Sequence, residues 1–423
     1  MRARPTRLAG ALLGAALALS GTPRAAEGFY ADLFMDGGVS LTSRTTLPAA
    51  AHLGLSMEYL ATDDQGIQDK VIVADIHDDN GVLLYPDGEP RFRCVYLNGG
   101  AATAHGTSLG AEGRQRFRDH FANGGSYTGS CAGAFIATLG WNTTPVAEYL
   151  HLWPGMSHTT GLLDAHTGHF IPPGSPLLAY SDFGGDLHIA NVRHNGGCYV
   201  IENDPTYWVP GSEVLLTYDY LEKEMHGNPS CWAYQESLTA GRLVVIGSHP
   251  EGVTSGERLD LMAAILQYAL DGGGLPTIKG SLSNGVAREM DDNGAPGHER
   301  IGDKQYHHFT MSIPPNTGRL TVTLSGDDTY DLDLYLRQGD FALRNEPGVI
   351  SAANGTSSQE TITVDHPVPG TWLAGVKCHT TVGTAPEDWG TSYTGQVGVL
   401  NGVSYTITAE WEPEATPAGL MLR

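Results

Sequence analysis

A cysteine stands between two glycines in Gly129-Ser130-Cys131-Ala132-Gly133, at the end of the longer run that begins Gly124-Gly125-Ser126-Tyr127-Thr128. Glycines two positions before and after a nucleophile suit a sharp strand-to-helix turn, because that turn brings backbone segments closer than a Cβ allows. Such a turn strains and exposes the thiol, and a helix starting directly after it favours the thiolate. A packed core cysteine in a tight turn is the plainer alternative. The second segment is Gly247-Ser248-His249-Pro250-Glu251, which follows the apolar run Leu243 to Ile246. A histidine at the C-terminal end of one parallel strand can reach a cysteine at the end of another, and Glu251 can hold the ring nitrogen that faces away from the sulfur. Taken alone, this segment reads as an exposed loop histidine beside a surface glutamate; the cysteine turn at a matching position reverses that preference. The third segment is Asn98-Gly99-Gly100, after the run Phe92 to Leu97. Unhindered N–H groups of Gly99 and Gly100, together with that of Ala132, would stabilise the oxyanion that forms when a thiolate attacks a carbonyl.

These segments need a scaffold that brings strand ends to one edge. Strand-like runs at Phe29 to Phe34, Lys70 to Ile76, Phe92 to Leu97, Gly125 to Thr128, Gly197 to Glu202, Glu213 to Tyr218 and Leu243 to Ser248 alternate with helix-like runs. The helical candidates are Ala49 to Leu60, Ala111 to Asn123, Ala132 to Leu139 and Gly256 to Tyr268. This order predicts a layered α/β domain with a largely parallel sheet over residues 27–272. The polar, glycine-rich stretch 273–299 reads as a linker. Residues 300–412 carry β-forming runs between Gly, Asn and Pro turns and predict a small β-sandwich, with 413–423 as a tail.

Arg2, Arg4 and Arg7 precede a small-apolar run from Leu8 to Leu19 and then Thr22-Pro23-Arg24-Ala25-Ala26, the layout of a signal peptide over residues 1–26. The expectation is a secreted protein without stable membrane insertion. Cleavage there removes four arginines and no acids, so 24 basic residues become 20 against 47 acidic ones, a net charge of about −27 with neutral histidines. No basic field is left to neutralise phosphates, which argues against nucleic acid as a partner. Cys94, Cys131, Cys198, Cys231 and Cys378 are odd in number, so at least one thiol stays free in a monomer. Cys198 and Cys231 are the candidate bridged pair. His151, His158, His166 and His169 lie in a Gly/Pro-rich stretch, with the scatter of structural loop residues rather than of a zinc site. Asp327, Asp328, Asp331 and Asp333 read as a solvated acidic loop, and no metal or cofactor is expected.

The three chemical segments resemble the class I glutamine amidotransferase-like superfamily in its nucleophile, oxyanion and His-x-Glu elements. The run Gly124 to Ala134, the later His194-Asn195-Gly196-Gly197-Cys198-Tyr199 and the turn Gly37-Gly38-Val39-Ser40 most resemble the amidotransferase-like domain at the N-terminus of some biotin-protein ligases. The resemblance covers about Gly28 to Asp271 and implies a flavodoxin-like three-layer sandwich that cleaves an amide through a thioester. Asn98 stands where a proline is common in glutamine-using members, and no synthetase or ligase domain follows. Tyr306-His307-His308-Phe309, Asp331-Leu332-Asp333-Leu334-Tyr335-Leu336 and Pro369-Gly370-Thr371-Trp372 resemble a bacterial pre-peptidase C-terminal domain, which implies a jelly-roll-like module on a secreted hydrolase. The leading expectation is a cysteine hydrolase of a peptide or small amide substrate, with Cys131 attacking, His249 moving the proton and Glu251 orienting it. A glutaminase-like amidase and a catalytically silent extracellular ligand-binding protein are the alternatives. Contact with a cell surface or polymer is the partner expectation for the C-terminal module.

Overall fold

A computed structural model of the chain describes residues 27–38, 46–74, 78–274, 276–292, 294–352 and 355–414. The expected signal peptide, Val39-Ser40 of the early turn and Ile76 lie outside the described residues. The N-terminal region runs β1 (Ala31–Asp36), α1 (Pro48–His52), β2 (Met57–Leu60), α2 (Gln65–Gln68), β3 (Phe92–Leu97), α3 (Ala102–Ala122), β4 (Ser126–Ser130) and α4 (Ala132–Ala137). It continues with β5 (Gly140–Trp141), β6 (Thr144–Pro145), β7 (Met156–Phe170), β8 (His188–Tyr199), β9 (Glu213–Asp219), β10 (Pro229–Tyr234), β11 (Leu243–Ile246) and α5 (Glu257–Leu270). Strands β2-β1-β3-β4-β11 lie side by side in that order and are all parallel, the 2-1-3-4-5 arrangement of flavodoxin-like sheets.

Alternation along these strands explains the layers. Leu33, Met35, Cys94, Tyr96, Val244 and Ile246 share one buried cluster with α1 and α5. Phe34, Val95, Leu97 and Val245 point the other way, into a cluster with Phe117 of α3 and Ile136 of α4. Successive side chains of a strand face opposite sides, so a sheet buried on both faces must be apolar at both parities. Antiparallel strands β10, β9 and β7 extend the sheet beyond β11, and β8 returns along β7.

Three local expectations are corrected. Lys70 to Val73 is not a strand but part of a π-helical turn, Asp69–Val73, that continues α2. Its β-branched run invites a strand reading, yet Asp64 caps the start by accepting from the Gly66 N–H at 2.8 Å, and Ile72 is buried on the helical side of the sheet. The run Ala49 to Leu60 splits into α1 and β2 because Gly54, at φ +68°, ends the helix in a conformation glycine tolerates. The stretch holding His158, His166 and His169 is the long hairpin strand β7 rather than a loop.

The C-terminal region holds β12 (Ile278–Ser281), β13 (Arg288–Met290), β14 (Tyr306–Ile313), β15 (Thr317–Gly326), β16 (Leu332–Gln338), β17 (Ile350–Ser351), β18 (Gln359–Asp365), β19 (Gly370–Cys378), β20 (Gly383–Glu387), β21 (Gly390–Thr394) and β22 (Tyr405–Pro413). Two sheets, β12-β14-β19-β16-β17 and β13-β22-β15-β18, form an all-β unit. Strands β12 and β13 fall within 273–299, so the stretch expected as a linker contributes to both sheets. The β20–β21 hairpin reaches back to the first region, where Leu60 pairs with Gly390 and the Ala61 N–H donates to Trp389 O at 2.9 Å. No helix among the described residues is long and apolar enough to cross a membrane.

Buried charges join the two regions. The Arg91 side chain is almost wholly buried and donates to both Asp303 oxygens at 3.0 Å, and to Tyr393 Oη at 2.6 Å. Its guanidinium also lies 3.8 Å from the Tyr30 ring centre. Burial opposes the charge on Arg91, but Asp303, Tyr393 and Glu58 together outweigh burial and hold the guanidinium protonated. Nearby, Lys279 Nζ lies 2.6 Å from Asp87; burial opposes ionisation of this carboxylate, yet His307 and Lys279 keep it well below the usual range. Removing one member of such a pair leaves an uncompensated charge. Asp303→Ala is expected to lower unfolding stability by about 3–5 kcal/mol, whereas the apolar double replacement Arg91→Met/Asp303→Leu recovers most of that loss. Denaturant midpoints of the three proteins check this.

Candidate active site

Parallel registry brings the three chemical segments together. Leu97 pairs with Gly129, and Ile246 with Ser130, so the chain leaves β3, β4 and β11 at neighbouring points of one sheet edge. This is the C-terminal edge, where open α/β sheets hold ligands. Cys131 sits at φ 50°, ψ −104°, a conformation that costs about 1–3 kcal/mol for a residue with a side chain. Its N–H donates to Ile246 O at 2.9 Å, which ties the strained residue to the adjacent strand. A Cβ on Gly133 would meet Leu97 O at 2.1 Å, and one on Gly129 would meet the Gly133 carbonyl carbon at 2.6 Å. Both flanking glycines are therefore steric requirements of the turn. Tyr127, fully buried beneath it, donates through its hydroxyl to Gly133 O at 2.7 Å.

His249 is held from three sides. Its N–H donates to Arg193 O at 2.8 Å, its Nδ1 lies 2.8 Å from Glu251 Oε1, and its ring covers Gly99, where a Cβ would meet Cε1 at 2.3 Å. Nε2 is the ring nitrogen left free for Cys131. Burial works against a charged imidazole here, but hydrogen bonding to Cys131 and to the Glu251 carboxylate prevails and raises its pKa from 6.5 to about 10. By hydrogen-bond geometry the Cys131 thiol donates to Asn195 O at 3.5 Å. Proton transfer to His249 would exchange that contact for an ion pair.

The oxyanion expectation divides. Ala132 supplies the first N–H of α4, one of the donors that a helix start leaves without an intrahelical acceptor. Gly100 borders both the cavity at the sulfur and the neighbouring one at His249. Gly99 makes room for the His249 ring, a steric role not foreseen from the sequence. The Asn98 amide nitrogen, turned toward Gly37, donates to Gly37 O at 2.9 Å and so orients the loop. Helix α4 has only six residues, shorter than the run Ala132 to Leu139, so its contribution to charge at the sulfur comes from the free N–H groups rather than a long dipole.

Hairpin strand β8 completes the site from outside the parallel sheet, through Arg193, Asn195 and the glycines that follow. Behind it lie buried neutral histidines. His169 Nδ1 is 2.8 Å from Ser230 Oγ and its Nε2 3.1 Å from Ser248 Oγ; burial, then His194 and His188, lower its pKa to about 3. His194 Nε2 is 2.7 Å from Thr160 Oγ1, and burial, then His249, lower it to about 4. The roles of Arg193 and Asn195 were missed from the sequence, although the His194-Asn195-Gly196-Gly197 run was visible as a motif. Cys198 and Cys231 are not bonded; all five cysteines are free and buried, and burial raises the thiols of Cys94, Cys198, Cys231 and Cys378. Cys131 differs from them in bordering a cavity.

Residues 305–377 match the family described as bacterial pre-peptidase C-terminal domain. Among solved structures, a glutamine amidotransferase is similar at 14% identity and a TM-score of 0.33, covering 55% of this chain and 98% of its own. The pre-peptidase C-terminal domain of a collagenase from Bacillus anthracis is similar at 10% identity and a TM-score of 0.19, covering 32% of this chain and 100% of its own. No curated protein matches the chain.

Two outcomes follow from the geometry. Cys131→Gly relieves the positive φ and loses about 0.5–1 kcal/mol to chain entropy, so it should be more stable than Cys131→Ala by about 1 kcal/mol in urea unfolding. His249 should stay protonated through neutral pH and titrate near 10, and Glu251→Gln should lower that value, as read by histidine NMR shifts. An unfolded histidine titrates near 6.5, so the stability carried by this charge is whole below that pH and is lost as pH rises through about 10.

Proposed function

We propose that the protein is a secreted hydrolase that cleaves an amide bond through a thioester on Cys131. The observation that carries this reading is the left-handed Cys131 at the end of β4, beside a His249–Glu251 pair 2.8 Å apart at the end of the adjacent parallel strand. In this reading Cys131 is the nucleophile, as the thiolate whose proton His249 already holds at neutral pH; His249 gives that proton to the leaving nitrogen, and Glu251 fixes the imidazole. The N–H groups of Gly100 and Ala132 are the oxyanion donors, with Gly99 shaping the loop between them. The motif likeness to the biotin-protein ligase amidotransferase-like domain belongs to the same reading. The match of residues 305–377 to a pre-peptidase C-terminal family, with the leader-like start of the sequence, supports export.

A specific feature favours a substituted amide over the primary amide of a glutaminase. A cavity of about 340 Å3 borders the sulfur and a second of about 350 Å3 borders His249, with Gly100 and Asn195 lining both, whereas an ammonia leaving group would fill little of either. The expected result is rapid labelling of Cys131 alone by a small electrophile, followed by mass spectrometry. His249→Ala should slow labelling at pH 7 by roughly tenfold or more, because the imidazolium that holds the reactive thiolate is lost. Labelling no faster than that of a denatured thiol, and equal in His249→Ala, would leave the site as a binding cleft.

A further inference from the structure

The cavity at Cys131 and the one at His249, which share Gly100 and Asn195, differ in chemistry. Resting on the hydrolase reading above, we propose that the substrate joins an apolar acyl group to an amine that carries a free carboxylate, with Arg193 receiving that carboxylate. The substrate class is an N-acyl amino acid or the last peptide bond of a chain.

Proton flow fixes which cavity takes which half. The leaving nitrogen must receive its proton from His249, so the amine lies in the cavity lined by Asn98, Gly100, Arg193, Asn195, His249 and Glu251. The acyl group stays on sulfur with its oxygen toward Gly100 and Ala132, so its substituent enters the cavity that Cys131 itself borders, against Phe135, Trp141 and Tyr149. Trp141 is 42% exposed, so part of its ring is available in that cavity.

Charge favours an anion on the amine side. Glu251 compensates the imidazolium of His249, which leaves Arg193 as the unbalanced charge among the lining residues. Its guanidinium is exposed and has no hydrogen bond or ion pair to a described residue. The Arg193 backbone, however, is fixed to the site because its carbonyl accepts from the His249 N–H at 2.8 Å. A guanidinium offers parallel donors that fit a carboxylate, which a lone ammonium does not. In the reaction the Cys131 thiolate bonds to the carbonyl carbon, and the C–N bond breaks as nitrogen takes the proton from His249. The amine then leaves with its carboxylate. Water gives a proton to His249, bonds to the acyl carbon and frees the thiolate.

The test uses conjugates that share an N-phenylacetyl group and differ in the amine: alanine, the equal-sized but uncharged alaninamide, and ammonia. The expected kcat/KM for the alanine conjugate exceeds that for alaninamide by roughly tenfold or more, the value of one charge-assisted contact. Arg193→Gln should bring that ratio toward one, and Arg193→Lys should restore part of it. Cys131-dependent turnover with equal rates for the two conjugates, or a ratio unmoved in Arg193→Gln, overturns the carboxylate assignment and leaves the hydrolase reading intact. If no conjugate turns over, protection of Cys131 from the electrophile decides. Stronger protection by the alanine conjugate than by alaninamide, lost in Arg193→Gln, supports the assignment; equal protection, or none, overturns it. Failure of both turnover and His249-dependent labelling removes the hydrolase reading and this inference with it.

Discussion

The approach of α4 to the end of β3 governs the site. Gly133 lies so close to the Leu97 carbonyl that any side chain there would push the helix away from the sheet. With the helix seated, its start must turn through Cys131 at positive φ, and the Cys131 N–H must find Ile246 on the neighbouring strand. The same closeness lets the Gly133 N–H reach Asn98 O at 3.1 Å, which anchors the loop after β3. One contact between two backbones thus sets the nucleophile, the loop beside it and the link to the strand that carries His249. The cost is local strain, maintained because the sheet buried on both faces leaves the turn no room to relax.

What the sequence made legible follows from this. Near-continuous apolar runs marked β1, β3 and β11, and a glycine spacing tied to a steric requirement marked the turn at Cys131. His249 and Glu251 lie two apart in the chain, so their pairing is local and readable. The run Val71-Ile72-Val73 misled because β-branched residues signal strand by propensity, while the Asp64 cap and burial against helices decided otherwise. Arg193 and Asn195 were not assigned because they reach the site only through the pairing of β7 with β8, a long-range register interrupted by several shifts. The division of labour between Gly99 and Gly100 also depends on where the imidazole rests, which no local pattern encodes.

The two regions are less separate than their composition suggests. Arg91 and Glu58 come from the first, Asp303 and Tyr393 from the second, and Tyr393 Oη donates to Glu58 Oε2 at 2.6 Å while accepting from Arg91. Apolar packing runs through the same boundary, from Val82, Leu83 and Tyr85 to Val399, Leu400 and Val403. Ion pairs of this kind contribute little net stability against apolar replacements, but here they tie Arg91 and Glu58 to Asp303 and Tyr393 across the boundary. The C-terminal unit is thereby held in fixed register with the sheet that carries Cys131.

The β20–β21 hairpin adds a consequence outside the chemistry. Strand β2 ends the parallel series, and an uncovered edge of that kind presents unpaired backbone donors and acceptors to any passing extended chain. Here β21 meets β2 at Leu60 and Gly390, with the Ala61 N–H taken up by Trp389 O. The ladder is short, so the protection is chiefly a physical cover rather than a continued sheet. A second region of the chain thus shields the first against self-association through its open edge, and loss of that cover would present a template for aggregation even where every residue around Cys131 remained in place.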